Sequence, residues 1–403
     1  MSDSGKTELF TFYKTGYLTD YSLTVSLIFF ILKPYPFSSS GVIPPKMDSG
    51  TNTSIIQRDL LMRQKKNVTF DDIAKYTNFS KTTISRYFNN PDSLTLENQE
   101  IIAKALVDLD YKENKVARIL ASGKTEYIGV VVPNMFINYY SEMLNQILGT
   151  YETFGYKFLV FTVNDNQETE RKYIQELLSY KIEGLIILSY TIPSEELASY
   201  HVPVVTIERE DTYVSSVNTD NYQGAIQATS LLAEKGCDIL LHINSIIPQD
   251  RPAHARIKGF EDYCTAHGLA HEVLYRKEAY TYKDSLETMK ELFDEIETKY
   301  KGRKKGIFVS GDTFANMLLN LIVRKYSTLP EEYQIVGFDN APISGEAVYP
   351  ISTVDQQIGK IAHEAVKLLV EQMNERKKRR PVLSDEPVHK IVNTVLIERE
   401  TTR

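Results

Sequence analysis

The chain has 403 residues, with 46 Lys and Arg against 53 Asp and Glu, two cysteines, no tryptophan and 26 tyrosines. This length exceeds one compact core and predicts two or three domains, and 42 % hydrophobic with 25 % charged residues excludes wholesale disorder and a disulfide-stapled scaffold. Cys237 and Cys264 cannot build a four-thiolate zinc site and fit a reducing compartment. The net charge of −7 excludes a surface that binds nucleic acid everywhere.

That charge is unevenly spread. Residues 1–61 hold five basic and five acidic side chains, residues 62–125 eleven and eight, and residues 126–403 thirty and forty. A modestly basic module therefore precedes a strongly acidic one. Residues 1–61 read as a poorly ordered extension. Their apolar stretch Tyr21–Leu32 falls short of the roughly 20 residues a spanning helix needs, and no small-residue cleavage site follows it. Met62 opens MRQKKNVTF just before the first orderly pattern.

Residues 62–113 predict three helices. Thr69 caps the first, with Asp72 three residues on, and Asn78 suits the left-handed turn that ends it. Ser80 caps a second helix over Lys81 to about Phe88. At about 100° per residue, Lys81, Thr82, Ser85, Arg86 and Asn89 share a polar, basic face, while Ile84, Tyr87 and Phe88 form the apolar one. A third helix starts at Thr95, with Ile101, Ile102, Ala105, Leu106 and Leu109 on one stripe. Two short helices joined by a tight turn, the second with an exposed row of donors, predict a helix-turn-helix whose second helix enters a major groove.

From Glu126 on, apolar runs alternate with amphipathic stretches, the pattern of βα units and a mainly parallel sheet. The runs are Tyr127–Val132, Phe158–Val163, Gly184–Leu188, Val202–Ile207, Ile239–Ile243, Gly306–Val309 and Ile335–Phe338. Helices are expected over Glu168–Tyr180, Tyr222–Leu232 and Ser285–Tyr300. This length predicts two α/β sheets with a cleft between them. The run Glu375–Arg380 before Pro381 reads as a solvated loop. No phosphate loop, nucleophile elbow, His-Glu-x-x-His or clustered Cys/His set occurs, which argues against an enzyme, a metal site and a bound cofactor.

The string Val68-Thr-Phe-Asp-Asp-Ile-Ala-Lys-Tyr, then Ser80-Lys-Thr-Thr-Ile-Ser-Arg-Tyr-Phe-Asn89, Leu109-Asp-Tyr111 and Asn114-Lys-Val-Ala-Arg-Ile-Leu120 resembles the DNA-binding end of the lactose-repressor family of bacterial transcription regulators. The resemblance extends through residue 403. It implies an all-α reader over 62–113, a hinge helix and linker over 114–125, and a periplasmic-binding-protein type I sensor over 126–403. Lobe 1 would take about 126–221 and 356–387, and lobe 2 about 222–355 and 388–403.

By position in the motif, Lys81 and Thr82 lie toward base edges and Arg86 toward a guanine O6/N7 edge, while Thr69, Ser80, Thr83 and Asn89 fix register on phosphates, and Ser85 shares the DNA-binding face. Asn114, Ala117 and Leu120 would place the hinge in the minor groove, with Leu120 as an apolar wedge and Gly123 as helix end. Eight residues are too few for a stable isolated helix, so the hinge is expected to form only against DNA and its twin. Glu113 stands where the family has proline.

The resemblance also assigns the effector cleft: Tyr139, Tyr140, Glu208, Arg256, Tyr280, Asp312, Asp339 and Gln356. Flat aromatic faces and paired polar groups suit a sugar. Gly311 stands where the family often has asparagine, so the effector can differ from the galactosides, and Arg209 after Glu208 follows the pattern of sugar-responsive members. The implied protein is a cytoplasmic homodimeric repressor of carbohydrate genes. It binds a pseudo-palindromic double-stranded operator, needs no membrane and answers to a small sugar or sugar phosphate. The alternatives are a global carbon-catabolite regulator with a phosphorylated carrier protein as corepressor, and an exported sugar-binding protein, which would lack residues 68–120.

Overall fold

The computed structural model describes residues 68–402 apart from 115, 117, 120–122, 164–165, 211, 278–280 and 379–385. The expected extension 1–61, Ala117, Leu120, Tyr280 and the end of the basic run Glu375–Arg380 lie outside the described residues. The chain divides into two compact units, 1–112 and 113–403, so the hinge segment groups with the second.

The first unit is three helices around one small core: α1 (Phe70–Thr77), α2 (Lys81–Asn89) and α3 (Leu96–Asp108). Thr69 caps α1 in a full capping box, and Asn78 ends it at φ 58°, in the left-handed region. Ser80 caps α2 through the Thr83 amide at 3.0 Å, and Thr95 caps α3. Ile73, Ala74, Ile84, Ile102 and Ala105 are buried together, and Phe70 stacks on Phe88 at 5.0 Å. Ile101, expected on the core stripe, is instead 42 % exposed, because Ile102 and Ala105 already fill the face toward α1.

The second unit holds two parallel sheets. The first contains β1 (Tyr127–Val132), β2 (Lys157–Thr162), β3 (Gly184–Ile187), β4 (Val204–Ile207), β5 (Ser215–Thr219) and β11 (His389–Val392), in the order β11-β5-β4-β3-β1-β2. One face is covered by α4 (Asn138–Gly149) and α13 (Ile358–Arg376), the other by α6 (Gln167–Ser179) and α7 (Ser194–Ala198). α5 (Tyr151–Phe154) is a single turn after α4.

The second sheet contains β6 (Ile239–Ser245), β7 (His271–Arg276), β8 (Lys305–Val309), β9 (Tyr333–Asp339), β10 (Ser352–Asp355) and β12 (Val395–Ile397), in the order β12-β10-β9-β8-β6-β7. Only β12 is antiparallel, against β10. α8 (Asn221–Glu234) and α9 (Ala255–Ala266) cover one face, α10 (Tyr282–Lys299) and α11 (Asp312–Tyr326) the other, and α12 (Pro342–Glu346) follows β9. Helices on both faces explain the near-continuous apolar strands.

The chain crosses between the sheets three times: after β5, after β10 and between Val392 and Val395. The last crossing corrects the expected lobe boundary at 388. His389–Val392 pairs in parallel with β5 and buries Val392 in the first core, so only the residues after it belong to the second lobe.

Candidate nucleic-acid interface and effector cleft

The second helix of the first unit presents the expected polar face. Lys81, Thr82, Arg86 and Asn89 are exposed and Thr83 and Ser85 partly so, while Ile84 is buried against α1 and α3. The Lys81 ammonium lies 3.1 Å from Asp71, so a base contact requires it to exchange one exposed carboxylate for another acceptor. Asn89 Nδ2 donates to the Ser85 carbonyl at 2.9 Å and to its Oγ at 3.1 Å, which fixes the C-terminal turn of α2. Ser80 and Thr83 share their hydroxyls at 2.8 Å at the other end, where the helix N-terminus favours a phosphate.

The hinge segment contains helical residues. Val116, Arg118 and Ile119 are helical, the Arg118 amide donates to the Asn114 carbonyl at 3.0 Å, and Gly123 donates to Ile119 at 2.8 Å with φ 70°. These two bonds give the segment helical geometry around Arg118 and Ile119. Its support is intramolecular: the Arg118 guanidinium bonds Glu113 at 3.0 Å and Glu126 at 2.7 Å, and Lys157 reaches the same Glu126 at 3.0 Å. Glu113, in the proline position, is one jaw of this clamp.

In the second unit four of the expected cleft residues, Glu208, Arg256, Asp339 and Gln356, come together near the carboxyl ends of the strands, where the rule for open α/β sheets places ligands. Glu208 follows β4 at φ 56°. Its carboxylate accepts the Thr219 amide at 2.5 Å and Asn221 Nδ2 at 2.9 Å. Arg256, from the first turn of α9, lies 4.0 Å from that carboxylate. It donates to Asn221 Oδ1 at 2.7 Å and to the Ser310 carbonyl at 2.6 Å, and it stacks on Phe338 at 3.8 Å. Asp339, at the end of β9, accepts Gln356 Nε2 at 2.5 Å, and Gln356 Oε1 accepts the Thr219 hydroxyl at 2.6 Å. All four side chains are buried.

Burial pushes the Asp339 carboxyl up to about 7, against the pull of Arg256 and Gln356. Tyr139 and Tyr140 pack edge to face at 5.3 Å. The Tyr139 hydroxyl is buried without a hydrogen-bond partner, in the field of Glu208, Tyr190 and Asp339, and burial raises its pKa further above the usual phenol range. The lobes also meet where the Asn138 amide donates to Thr313 Oγ1 at 2.9 Å.

Asp312 stands apart. It is fully buried, accepting the Ala341 amide at 2.9 Å and the Thr353 hydroxyl at 2.7 Å, so its carboxylate frames the loop after β9. Gly337 is small because a Cβ there would collide with that carboxylate. Arg209 likewise turns away from the cleft, donating to the Ser189 and Ile192 carbonyls at 3.2 and 2.5 Å.

Four participants escape sequence reading: Tyr190, Thr219, Asn221 and Arg251. Thr219 and Asn221 flank the end of β5, whose sequence SSVNT lacks the apolar run that marks the other strands. Beside them a cavity of about 630 Å³ opens on the crossover side, lined among others by Asn218, Asp220, Arg251 and His389. Among the described residues no cluster of His, Cys, Asp and Glu could hold a metal ion, and no helix is long and apolar enough to cross a membrane.

Two family descriptions match the second unit. "Periplasmic binding proteins and sugar binding domain of LacI family" covers residues 125–296, and "Periplasmic binding protein-like domain" covers 229–402. The ribose operon repressor of Halalkalibacterium halodurans is 27 % identical over 337 residues, 83 % of this chain and 97 % of its own. Catabolite control protein A of Priestia megaterium is 27 % identical over 315 residues, 76 % of this chain and 93 % of its own. A periplasmic binding protein/LacI transcriptional regulator from Alkaliphilus metalliredigens, solved with D-xylulofuranose, superposes with a TM-score of 0.58 at 28 % identity, over 69 % of this chain and 99 % of that one. These relatives are regulators, not enzymes, and the match to the ribose operon repressor, at 83 % of this chain, is longer than the two-lobed unit alone. The chain belongs to the lactose-repressor family of bacterial transcription regulators.

Proposed function

We propose that the protein is a sequence-specific repressor of carbohydrate-utilisation genes, controlled by a small uncharged sugar held between the two lobes. It acts in the cytoplasm as a homodimer on a pseudo-palindromic operator, with Lys81, Thr82 and Arg86 reading bases and Thr69, Ser80, Thr83 and Asn89 setting register. The observation that carries the sugar is the Tyr139 hydroxyl, buried without a partner beside Glu208 and Asp339. An unsatisfied buried hydroxyl calls for a polar guest. Carboxylates paired with Arg256 and an aromatic pair meet the needs of adjacent hydroxyls and a C–H face. Two buried carboxyls against one buried guanidinium favour a neutral sugar over a phosphorylated one.

Similarity to catabolite control protein A favours a second reading, a global regulator. One experiment separates them. A genome-wide map of bound DNA is expected to give one or a few sites beside sugar genes, whereas a global regulator occupies many. Thermal shift with D-ribose, D-xylulose, sucrose and glucose 6-phosphate then tests the effector: stabilisation that grows with concentration is expected from a neutral sugar. Stabilisation by the phosphate alone would overturn the neutral class.

A further inference from the structure

The loop after β3 is fixed from both sides. Ser189 Oγ and Thr191 Oγ1 donate to the two oxygens of buried Glu170 at 2.6 and 2.5 Å, and Arg209 binds the Ser189 and Ile192 carbonyls. Tyr190, between these anchors, is turned the other way. Its hydroxyl donates to the Glu208 main-chain carbonyl at 2.5 Å. Glu208 is a left-handed, non-glycine residue, a conformation that persists only where its surroundings over-determine it. Here the restraints are the Glu208 amide donating to Val217 at 3.2 Å and the Tyr190 hydroxyl on the carbonyl. Together they aim the Glu208 carboxylate toward Thr219, Asn221 and Arg256.

The exposed face of Tyr190 is covered from the other lobe. Arg251 follows β6 and belongs to the second sheet's side of the cleft, yet its guanidinium lies 4.2 Å above the Tyr190 ring centroid. Such stacking is most favourable when partly desolvated and depends on the two lobes being close. It is broken as soon as the cleft opens.

We propose that Tyr190 is a positioning residue for Glu208 and that Arg251 is the clasp by which the second lobe holds the cleft shut over it. This rests on the cleft being the effector site. Neither residue needs to touch the sugar. Tyr190 sets the acceptor that binds it, and Arg251 sets how long the closed state lasts.

Two variants separate the roles. Tyr190→Phe keeps the ring under Arg251 and removes only the hydroxyl; with D-ribose, D-xylulose and sucrose as probes, the Kd of those that bind is expected to rise about tenfold, the loss of one buried hydrogen bond. A lowered Tm with unchanged Kd would show a merely structural role and overturn the positioning. Arg251→Gln stays polar but shortens the side chain and removes the cation. It is expected to raise the sugar dissociation rate about tenfold while changing the association rate far less, and Arg251→Lys is expected to restore part of the difference.

A ligand-free measurement keeps the clasp testable by itself. In full-length protein lacking Cys237 and Cys264, nitroxides at exposed Lys172 on α6 and Asp294 on α10 report the lobe separation. Arg251→Gln is expected to broaden that distance distribution, and an unchanged distribution overturns the clasp. If none of the three sugars stabilises the wild-type protein, the sugar reading of the cleft fails, and the spin-label distances still decide the clasp.

Discussion

Around the cleft the backbone itself is unusual: Glu208, Asp339 and Gln357 have φ values of 56°, 115° and 57°. Each such conformation costs about 1–3 kcal/mol, and their gathering beside Arg256 and Gln356 fits strain held at a functional site. Two side chains away from this region carry sharp tests. Arg86 is exposed on the polar face of α2 proposed to read bases, so Arg86→Ala is expected to weaken operator binding by about 1–3 kcal/mol and relax one base position. Binding-site selection with the variant checks this, and an unchanged site preference would remove Arg86 from readout. His242, buried in β6, donates from Nδ1 to the Phe308 carbonyl at 3.1 Å and accepts Asn244 Nδ2 at 3.1 Å, so it is neutral, and burial lowers its pKa to about 3. The unfolded chain takes up that proton near pH 6.5 and the native one does not, so stability is lost as pH falls from about 6.5 to about 3. Urea unfolding of wild type and His242→Gln between pH 4 and 7 should show a shallower acid-side loss in the variant; parallel curves would contradict the assignment.

At the scale of elements, the reader helices were legible because their signals are local. Caps at Thr69, Ser80 and Thr95, the left-handed Asn78 and the apolar face of α2 each depend on neighbours three or four residues away. The strands with apolar runs were equally legible, whereas β5, β7 and β11 carry polar residues and were not. The hinge shows the limit of local reasoning. Its length alone predicts instability, yet Arg118 is clamped between Glu113 and Glu126, a tether worth about 0–1 kcal/mol per partly exposed pair. Glu126→Gln is therefore expected to speed amide exchange at Arg118 and Gly123 in the free protein and to shift operator affinity by about two- to fivefold. Exchange that is unchanged at both amides would show that the clamp does not hold the turn.

For the whole molecule, the mechanism is a coupling between two sites in different units, and coupling is reciprocal. If a sugar changes operator affinity about 5- to 150-fold, saturating operator must change sugar affinity by the same factor. Titrating sugar with and without operator DNA measures this, and a sugar Kd indifferent to operator would rule out allosteric control. The charge division gives this arrangement a physical basis. The basic reader faces phosphate, and the acidic sensor has no reason to approach it.

The sequence by itself carried the family resemblance, the two-module order and the three-helix unit, because caps, periodicity and motifs are short-range properties of the chain, and the resemblance supplied the candidate charged residues of the cleft. Only the tertiary structure decided that Asp312 frames a loop, that Arg209 faces away, that Glu113 clamps the hinge and that Tyr190 and Arg251 meet across the lobes. Each of these depends on where a side chain finds its partner. Arg251 lies 61 positions from Tyr190, and no local pattern encodes such a meeting.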